Sequence, residues 1–224
     1  MKTKIIFTLF FSLTLIPLFN SIYCQGFKAV TIPDETHVVA AGDSGKIYLS
    51  YDSGLSWNTI PTYIVDFNSI SSGTNYSYLT AYDSKVYKVY INSINPVNVF
   101  TIIGNYKFNS VSFLSDSTGF VCGDNGAVFK TLNGGMNWNS VNSGITDLKL
   151  NSISFKDINN GVIAADGGII LITSNGGSNW FPATPVPLTS NNLLKVKYFT
   201  DGIAAAGDNG ALIIKKNDSP DWKY

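Results

Sequence analysis

Apolar and polar positions alternate with a period of two along most of the chain, and no segment sustains a helical period. Phe108-Asn109-Ser110-Val111-Ser112-Phe113 and Leu150-Asn151-Ser152-Ile153-Ser154-Phe155 carry the alternation most clearly. Each is followed by a short run of apolar and small residues, as in Val162-Ile163-Ala164-Ala165 or Ile203-Ala204-Ala205-Ala206. Such a run suits a strand covered on both faces, and its small side chains let neighbouring sheets approach closely. A tight turn comes next, as in Gly42-Asp43-Ser44-Gly45, Gly123-Asp124-Asn125-Gly126 and Gly207-Asp208-Asn209-Gly210. A third strand such as Ala127–Thr131 then leads through an Asx-Gly turn to a fourth that starts at a tryptophan. The pattern predicts a four-stranded antiparallel unit.

The unit repeats. Trp138, Trp180 and Trp222 are spaced by 42 residues, and Trp57 lies 81 before Trp138. Fourteen residues before each tryptophan stands an aspartate: Asp43, Asp124, Asp166, Asp208. Nine residues after each aspartate stands Asp52, Asn133, Asn175 or Asn217. The double-length gap holds a worn copy around Asp83, whose strand residues Val86, Tyr87, Val89 and Ile91 survive. Its tryptophan is lost; Val97 stands at the count, or Phe100 after a three-residue insertion. Five units result, at about 26–66, 67–107, 108–149, 150–192 and 193–224. Four strands recurring about every 41 residues predict an all-β fold, a β-propeller of five four-stranded blades. A β-solenoid is the alternative, with shorter rungs than these. The short last strand leaves two readings of closure, a thin final blade or a longer chain.

Residues 1–24 read as a signal peptide, with Lys2 and Lys4 ahead of the apolar run Ile5–Phe19. That run is shorter than the roughly 20 residues a membrane span needs. Cleavage after Cys24 or Gln25 leaves a propeller over residues 25–224 with no stable membrane span, exported to a periplasmic or extracellular compartment. The alternatives are lipidation at Cys24 and an uncleaved N-terminal anchor. Cleavage would also leave Cys122 without a partner, so the domain would rest on its core alone.

Charged residues make up only 13% of the chain, against roughly 25% in ordinary soluble domains. Every basic residue is lysine, and Glu35 is the only glutamate. Losing Lys2 and Lys4 with the leader puts the acids two ahead of the lysines. A near-neutral chain without arginine is a poor nucleic-acid binder.

The second turn carries a recognisable motif. It reads Ser50-Tyr51-Asp52-Ser53-Gly54-Leu55-Ser56-Trp57, and returns around Asn133, Gly135 and Trp138 and around Asn175, Gly177 and Trp180. A decayed form spans Asn217 to Trp222. It resembles the Asp-box, or bacterial neuraminidase repeat. The longer stretch from Gly119 to Trp138 resembles the repeat of the photosystem II stability and assembly factor family of propellers. That resemblance covers almost the whole mature chain and implies an assembly-factor-like, protein-binding role. It also implies arginine at the strand position held here by Leu49, Lys130, Ile172 and Ile214. The box itself has a structural purpose: the Asp or Asn accepts backbone N–H groups in its own turn, Gly takes positive φ, and Trp covers the outer strands.

Catalytic constellations are scarce. A sialidase, implied by the shared box, would grip a carboxylate with arginines, and there are none. Gly42-Asp43-Ser44-Gly45 looks like a serine-nucleophile sequence with His37 nearby, but the turn recurs without the serine. Asp66, Asp147 and Asp157 offer carboxylates for a glycosidase, and nothing singles them out. No catalytic residue, cofactor site or metal site is assigned. The turn aspartates Asp43, Asp83, Asp124, Asp166 and Asp208 share one face with the linkers that carry Tyr63 and Tyr106. These seven residues form the candidate interaction face, with the aspartates as either binding groups or plain turn residues. The linker Phe181–Asn192 adds to it. The reading is a non-enzymatic, exported protein-interaction module. The alternative is a secreted carbohydrate-binding or glycoside-hydrolase-like propeller, with aromatics stacking on glycan.

Overall fold

The computed structural model describes residues 26–60, 65–92, 98–102, 104–144, 147–185, 187–219 and 221–223. The leader, Tyr63 and Val97 lie outside the described residues. The chain folds into five antiparallel sheets of four strands, each in simple sequence order. Blade 1 holds β1 (Phe27–Thr31), β2 (Val38–Gly42), β3 (Ile47–Ser50) and β4 (Asn58–Ile60). Blade 2 holds β5 (Phe67–Ser72), β6 (Tyr76–Ala81), β7 (Lys85–Tyr90) and β8 (Asn98–Thr101). Blade 3 holds β9 (Phe108–Phe113), β10 (Gly119–Gly123), β11 (Ala127–Thr131) and β12 (Asn139–Asn142). Blade 4 holds β13 (Leu150–Phe155), β14 (Gly161–Ala165), β15 (Ile170–Thr173) and β16 (Phe181–Pro182). Blade 5 holds β17 (Leu193–Phe199), β18 (Gly202–Gly207), β19 (Leu212–Lys216) and β20 (Trp222–Lys223). Among the described residues no helix is long and apolar enough to cross a membrane.

The first strands line the axis: β1 packs on β5, β5 on β9, β9 on β13 and β13 on β17. Among the described residues this packing is not repeated between β17 and β1. The five blades therefore form an open arc of a propeller. Phe27, Val30 and Ile32 are 53%, 59% and 56% exposed on its leading face. By register they match Phe108, Val111 and Phe113, which are buried under blade 2.

The core consists of four clusters, one per junction. Alternation decides their make-up, since successive residues of a second strand face opposite neighbours. Phe120 and Cys122 pack towards blade 4, and Val121 between them packs towards blade 2. Two junctions are built round stacked rings, Tyr78 on Phe113 at 3.4 Å and Phe120 on Phe155 at 3.9 Å. Trp138 and Trp180 then meet Phe113 and Phe155 edge-on, at 6.0 and 5.8 Å. Each of those phenylalanines lies over a glycine, Gly119 or Gly161. At the next junction the stack lapses, with Val162, Tyr198 and Trp222 in the corresponding cluster.

Serine hydroxyls on the inner strands add a polar seam. Ser69, Ser71, Ser110 and Ser154 accept from the backbone N–H of Val111, Phe113, Ile153 and Tyr198 in the following blade. On blade 5 the corresponding outward positions are Lys195 and Lys197.

A β-carbon on Gly161 would lie 2.6 Å from the Phe155 ring. Gly161→Ala should therefore destabilise the protein by about 1–3 kcal/mol, read from the urea midpoint. Adding Phe155→Leu should recover part of that loss. An unchanged midpoint in the single variant would contradict the packing described.

Candidate functional site

Every inner strand carries a register shift at its second residue: Lys28, Asn68, Asn109, Asn151 or Leu194. A bulge re-aims the side chain that it displaces. Asn109 uses its amide to donate to Asp124 at 2.9 Å and to the Leu150 carbonyl of blade 4 at 3.0 Å. Asn151 repeats this with Asp166 at 2.7 Å and the Leu193 carbonyl of blade 5 at 3.0 Å. Asn68 reaches the Phe108 carbonyl at 2.7 Å and accepts from Thr80 at 2.8 Å. In blade 1 Lys28 instead pairs with Asp43, and this hydrogen bond raises the lysine pKa. In blade 5 the bulge residue is Leu194, and Asn192 donates to Asp208 at 3.1 Å.

All five turn aspartates are half-buried, and four of them are thus committed to the frame. Their backbone N–H groups also bond to the chain entering the inner strand, as Asp124 does to Lys107 and Asp166 to Lys149. Asp83 is a correction to the repeat count. By sheet register Tyr82, not Asp83, matches Asp124, because Phe67 pairs with Ala81 where Phe108 pairs with Gly123. Asp83 accepts instead from the Lys85 N–H and the Tyr87 hydroxyl. The worn copy had hidden this one-residue slip. Tyr106 is half-buried, 4.8 Å from the Phe129 ring, and belongs to the blade 2–3 cluster.

The boxes are closed local structures. Thr131 and Thr173 hydroxyls donate to Asn133 and Asn175 and accept from Gly135 and Gly177. Gly54, Gly135 and Gly177 take φ of 92°, 89° and 79°, which other residues avoid. Trp57 is 36% exposed, while Trp180 is buried. In blade 5 Lys215 replaces the hydroxyl residue and donates to the Ser219 carbonyl, and the Asn217 amide turns to the Thr200 carbonyl. The register Lys88↔Asn98 matches Lys130↔Asn139, so Phe100 lies three residues past the tryptophan position of blade 2.

No hydrolytic triad assembles. His37 precedes β2 and pairs with Asp34 at 2.8 Å, while Ser44 follows β2. Five extended residues put about 15 Å between the two ends. Burial pushes the Cys122 thiol pKa up, away from thiolate. Among the described residues no group of three His, Cys, Asp or Glu is placed to hold a metal.

What remains is a cleft of about 180 Å³ beside the axis. It is lined by Asn68, Asn109 and Asn151 of the inner strands, by Tyr82, and by Lys149, Leu194 and Lys195. Among the described residues, neither Lys149 nor Lys195 forms an ion pair. Sequence reasoning passed over these residues. Their signal was a polar Asn recurring at the second place of successive inner strands. A second cleft, of about 290 Å³, opens between blades 4 and 5, lined by Phe181, Pro182, Ile172, Lys215 and Trp222 among others.

The sequence profile of the family described as photosynthesis system II assembly factor YCF48 matches residues 92–224. No curated protein matches the sequence. Among solved structures, YCF48 bound to D1 peptide superposes with a TM-score of 0.71 at 14% identity, over 89% of this chain and 68% of that one. YCF48 from Cyanidioschyzon merolae gives 0.72 at 15% identity, over 90% and 73%. The WD40 beta propeller domain of Doa1 gives 0.71 at 13% identity, over 90% and 69%. At such identities the likeness shows the fold.

Asp52 is the one full Asp in an intact box. Bonds from the Ser56 hydroxyl and N–H and from Ser50 lower its pKa from 3.8 to about 2. A lowered folded pKa means that these bonds stabilise above 3.8 and are lost as pH falls towards 2. Asp52→Asn, the residue of the third and fourth boxes, should flatten that part of the acid transition. Urea midpoints measured across the window should converge with the wild type at the acid end. A constant offset would contradict the assignment.

Proposed function

The chain belongs to the family of the photosynthesis system II assembly factor YCF48, and we propose that it is an exported, non-enzymatic propeller that binds an anionic segment of a protein partner. The observation that carries this reading is the axial cleft, where Lys149 and Lys195, which form no ion pair among the described residues, share the lining with three strand asparagines. Lysine ammonium groups beside amides attract carboxylates. A relative, YCF48, has been solved bound to D1 peptide, which supports a peptide as the kind of ligand. Export rests on the charged and apolar pattern of residues 1–24. The non-enzymatic reading rests on the frame having taken up the turn aspartates and the boxes.

A second reading is favoured by one observation. Phe181 is 64% exposed and lines the blade 4–5 cleft with Trp222, an aromatic arrangement on which sugars stack. Glycan capture that is abolished by Phe181→Ala would favour this reading over the first.

The test of the first reading uses a fluorescent Glu-rich decapeptide and its Gln-rich counterpart. The acidic peptide should bind the mature protein in a salt-sensitive way, and the Gln-rich one should not. Lys149→Glu with Lys195→Glu should weaken binding roughly tenfold or more, with the urea midpoint unchanged. Equal binding of both peptides, or binding indifferent to the double charge reversal, would overturn the proposal.

A further inference from the structure

Five Asn-Gly pairs punctuate the chain: Asn125-Gly126, Asn133-Gly134, Asn160-Gly161, Asn175-Gly176 and Asn209-Gly210. In such a pair the glycine nitrogen can attack the asparagine side chain, because no β-carbon on the glycine stands in the way. Folding decides whether that nitrogen is available.

In four pairs it is tied into another part of the fold. The Gly126 N–H donates to the Leu148 carbonyl at 2.8 Å, and Gly134 donates to Ser117 at 2.8 Å. Gly176 donates to Asn159 at 2.9 Å. Gly161 is the buried first residue of β14, paired with β13 on one side and β15 on the other. Gly210 differs. It belongs to a three-residue 3₁₀ turn, Asp208–Gly210, and no other element accepts from its N–H among the described residues. A β-carbon on Gly210 would meet nothing within 4 Å. Both Asn209 and Gly210 are exposed.

Asn125 supplies an internal control. Gly123-Asp124-Asn125-Gly126-Ala127 and Gly207-Asp208-Asn209-Gly210-Ala211 are identical in sequence. Their asparagines share the left-handed conformation, with φ of 55° and 53°. The two differ in surroundings: Gly126 is buried and held by Leu148, and Gly210 is open. Among the described residues the Asn209 side chain makes one exposed bond, from its amide to Asn191 at 3.0 Å.

We infer that Asn209 is the deamidation site of the folded protein, and that the other four Asn-Gly pairs are protected. The Gly210 nitrogen gives up its proton and bonds to Asn209 Cγ. The Cγ–Nδ2 bond breaks, and ammonia leaves with the proton. Water then opens the resulting five-membered imide at either carbonyl, giving aspartate or isoaspartate. No oxidant or reductant takes part. The product places a new carboxylate next to Asp208, on the rim that carries the first-turn aspartates.

The test incubates the intact protein in mildly alkaline buffer and follows the lysine-cleaved peptides by mass spectrometry. The peptide from Tyr198 to Lys215 should gain aspartate and isoaspartate several-fold faster than the peptides holding the other four pairs. In concentrated urea all five should convert at similar rates, which separates folding from sequence. Gly210→Ala should abolish the selective conversion. Equal rates for Asn125 and Asn209 in the folded protein, or faster conversion at any other pair, would overturn the inference.

Discussion

The bulge at the second residue of each inner strand is the constraint from which the rest follows. A regular strand would point that residue at a neighbouring sheet face. The bulge turns it along the axis, where a short amide reaches two places at once. In blades 3 and 4 one Asn ties its own first turn, through Asp124 or Asp166, to the opening carbonyl of the next blade. Those carbonyls belong to buried residues, Leu150 and Leu193. Buried polar groups are costly when unpaired, so the amide that satisfies them also fixes the spacing and angle between blades. The serine seam and the ring stacks then act on surfaces already held in register.

The clamp weakens towards both ends. Blade 2 substitutes Thr80 for the missing turn aspartate. Blade 1 replaces the amide with the Lys28–Asp43 pair, which is more exposed and so worth less. Blade 5 has Leu194 at the bulge, and the first turn is held by Asn192 from the linker. The box departs from the pattern differently: it is intact in blade 1, worn in blade 2, and has its hydroxyl anchor replaced by Lys215 in blade 5. In repeat folds each unit depends mainly on its neighbours. The junctions between blades 2 and 3 and between blades 3 and 4 hold the stacked aromatics, and the outward face of blade 5 carries lysines.

Much of this is legible in the sequence alone. The blade count, the strand order and the box positions follow from fixed spacings, because a repeat multiplies a weak local signal fivefold. The slip at Asp83 was not legible, since spacing cannot locate an insertion in a worn copy and only the pairing of Phe67 with Ala81 reveals it. Asn109 and Asn151 stood in plain view in the repeated strand. Their part was hidden because alternation assigns every second residue to a face and makes no provision for a bulge. Lys149 and Lys195 were illegible for another reason: they are brought together from neighbouring blades, at a distance that no periodicity encodes.

The residues that look most like chemistry are those the frame has absorbed, and this directs attention to what is left over. Asp43, Asp124, Asp166 and Asp208 are occupied by asparagines or by Lys28, Asp83 by Tyr87, and the residues of the intact boxes by their own turns. The axial lysines are occupied by neither. Lysine and arginine would act differently there. A guanidinium offers a planar fork that fixes the geometry of a carboxylate, whereas an ammonium is a compact charge on a flexible stem. A cleft furnished with Lys149 and Lys195 can therefore attract anionic groups in several orientations, with little penalty for a change of partner sequence. Its selectivity would have to come from shape and from the asparagine row beneath, because the charges alone carry little directional information. On the proposed reading, a member of this family without arginine would suit tolerant, salt-sensitive binding better than the reading of one fixed carboxylate geometry.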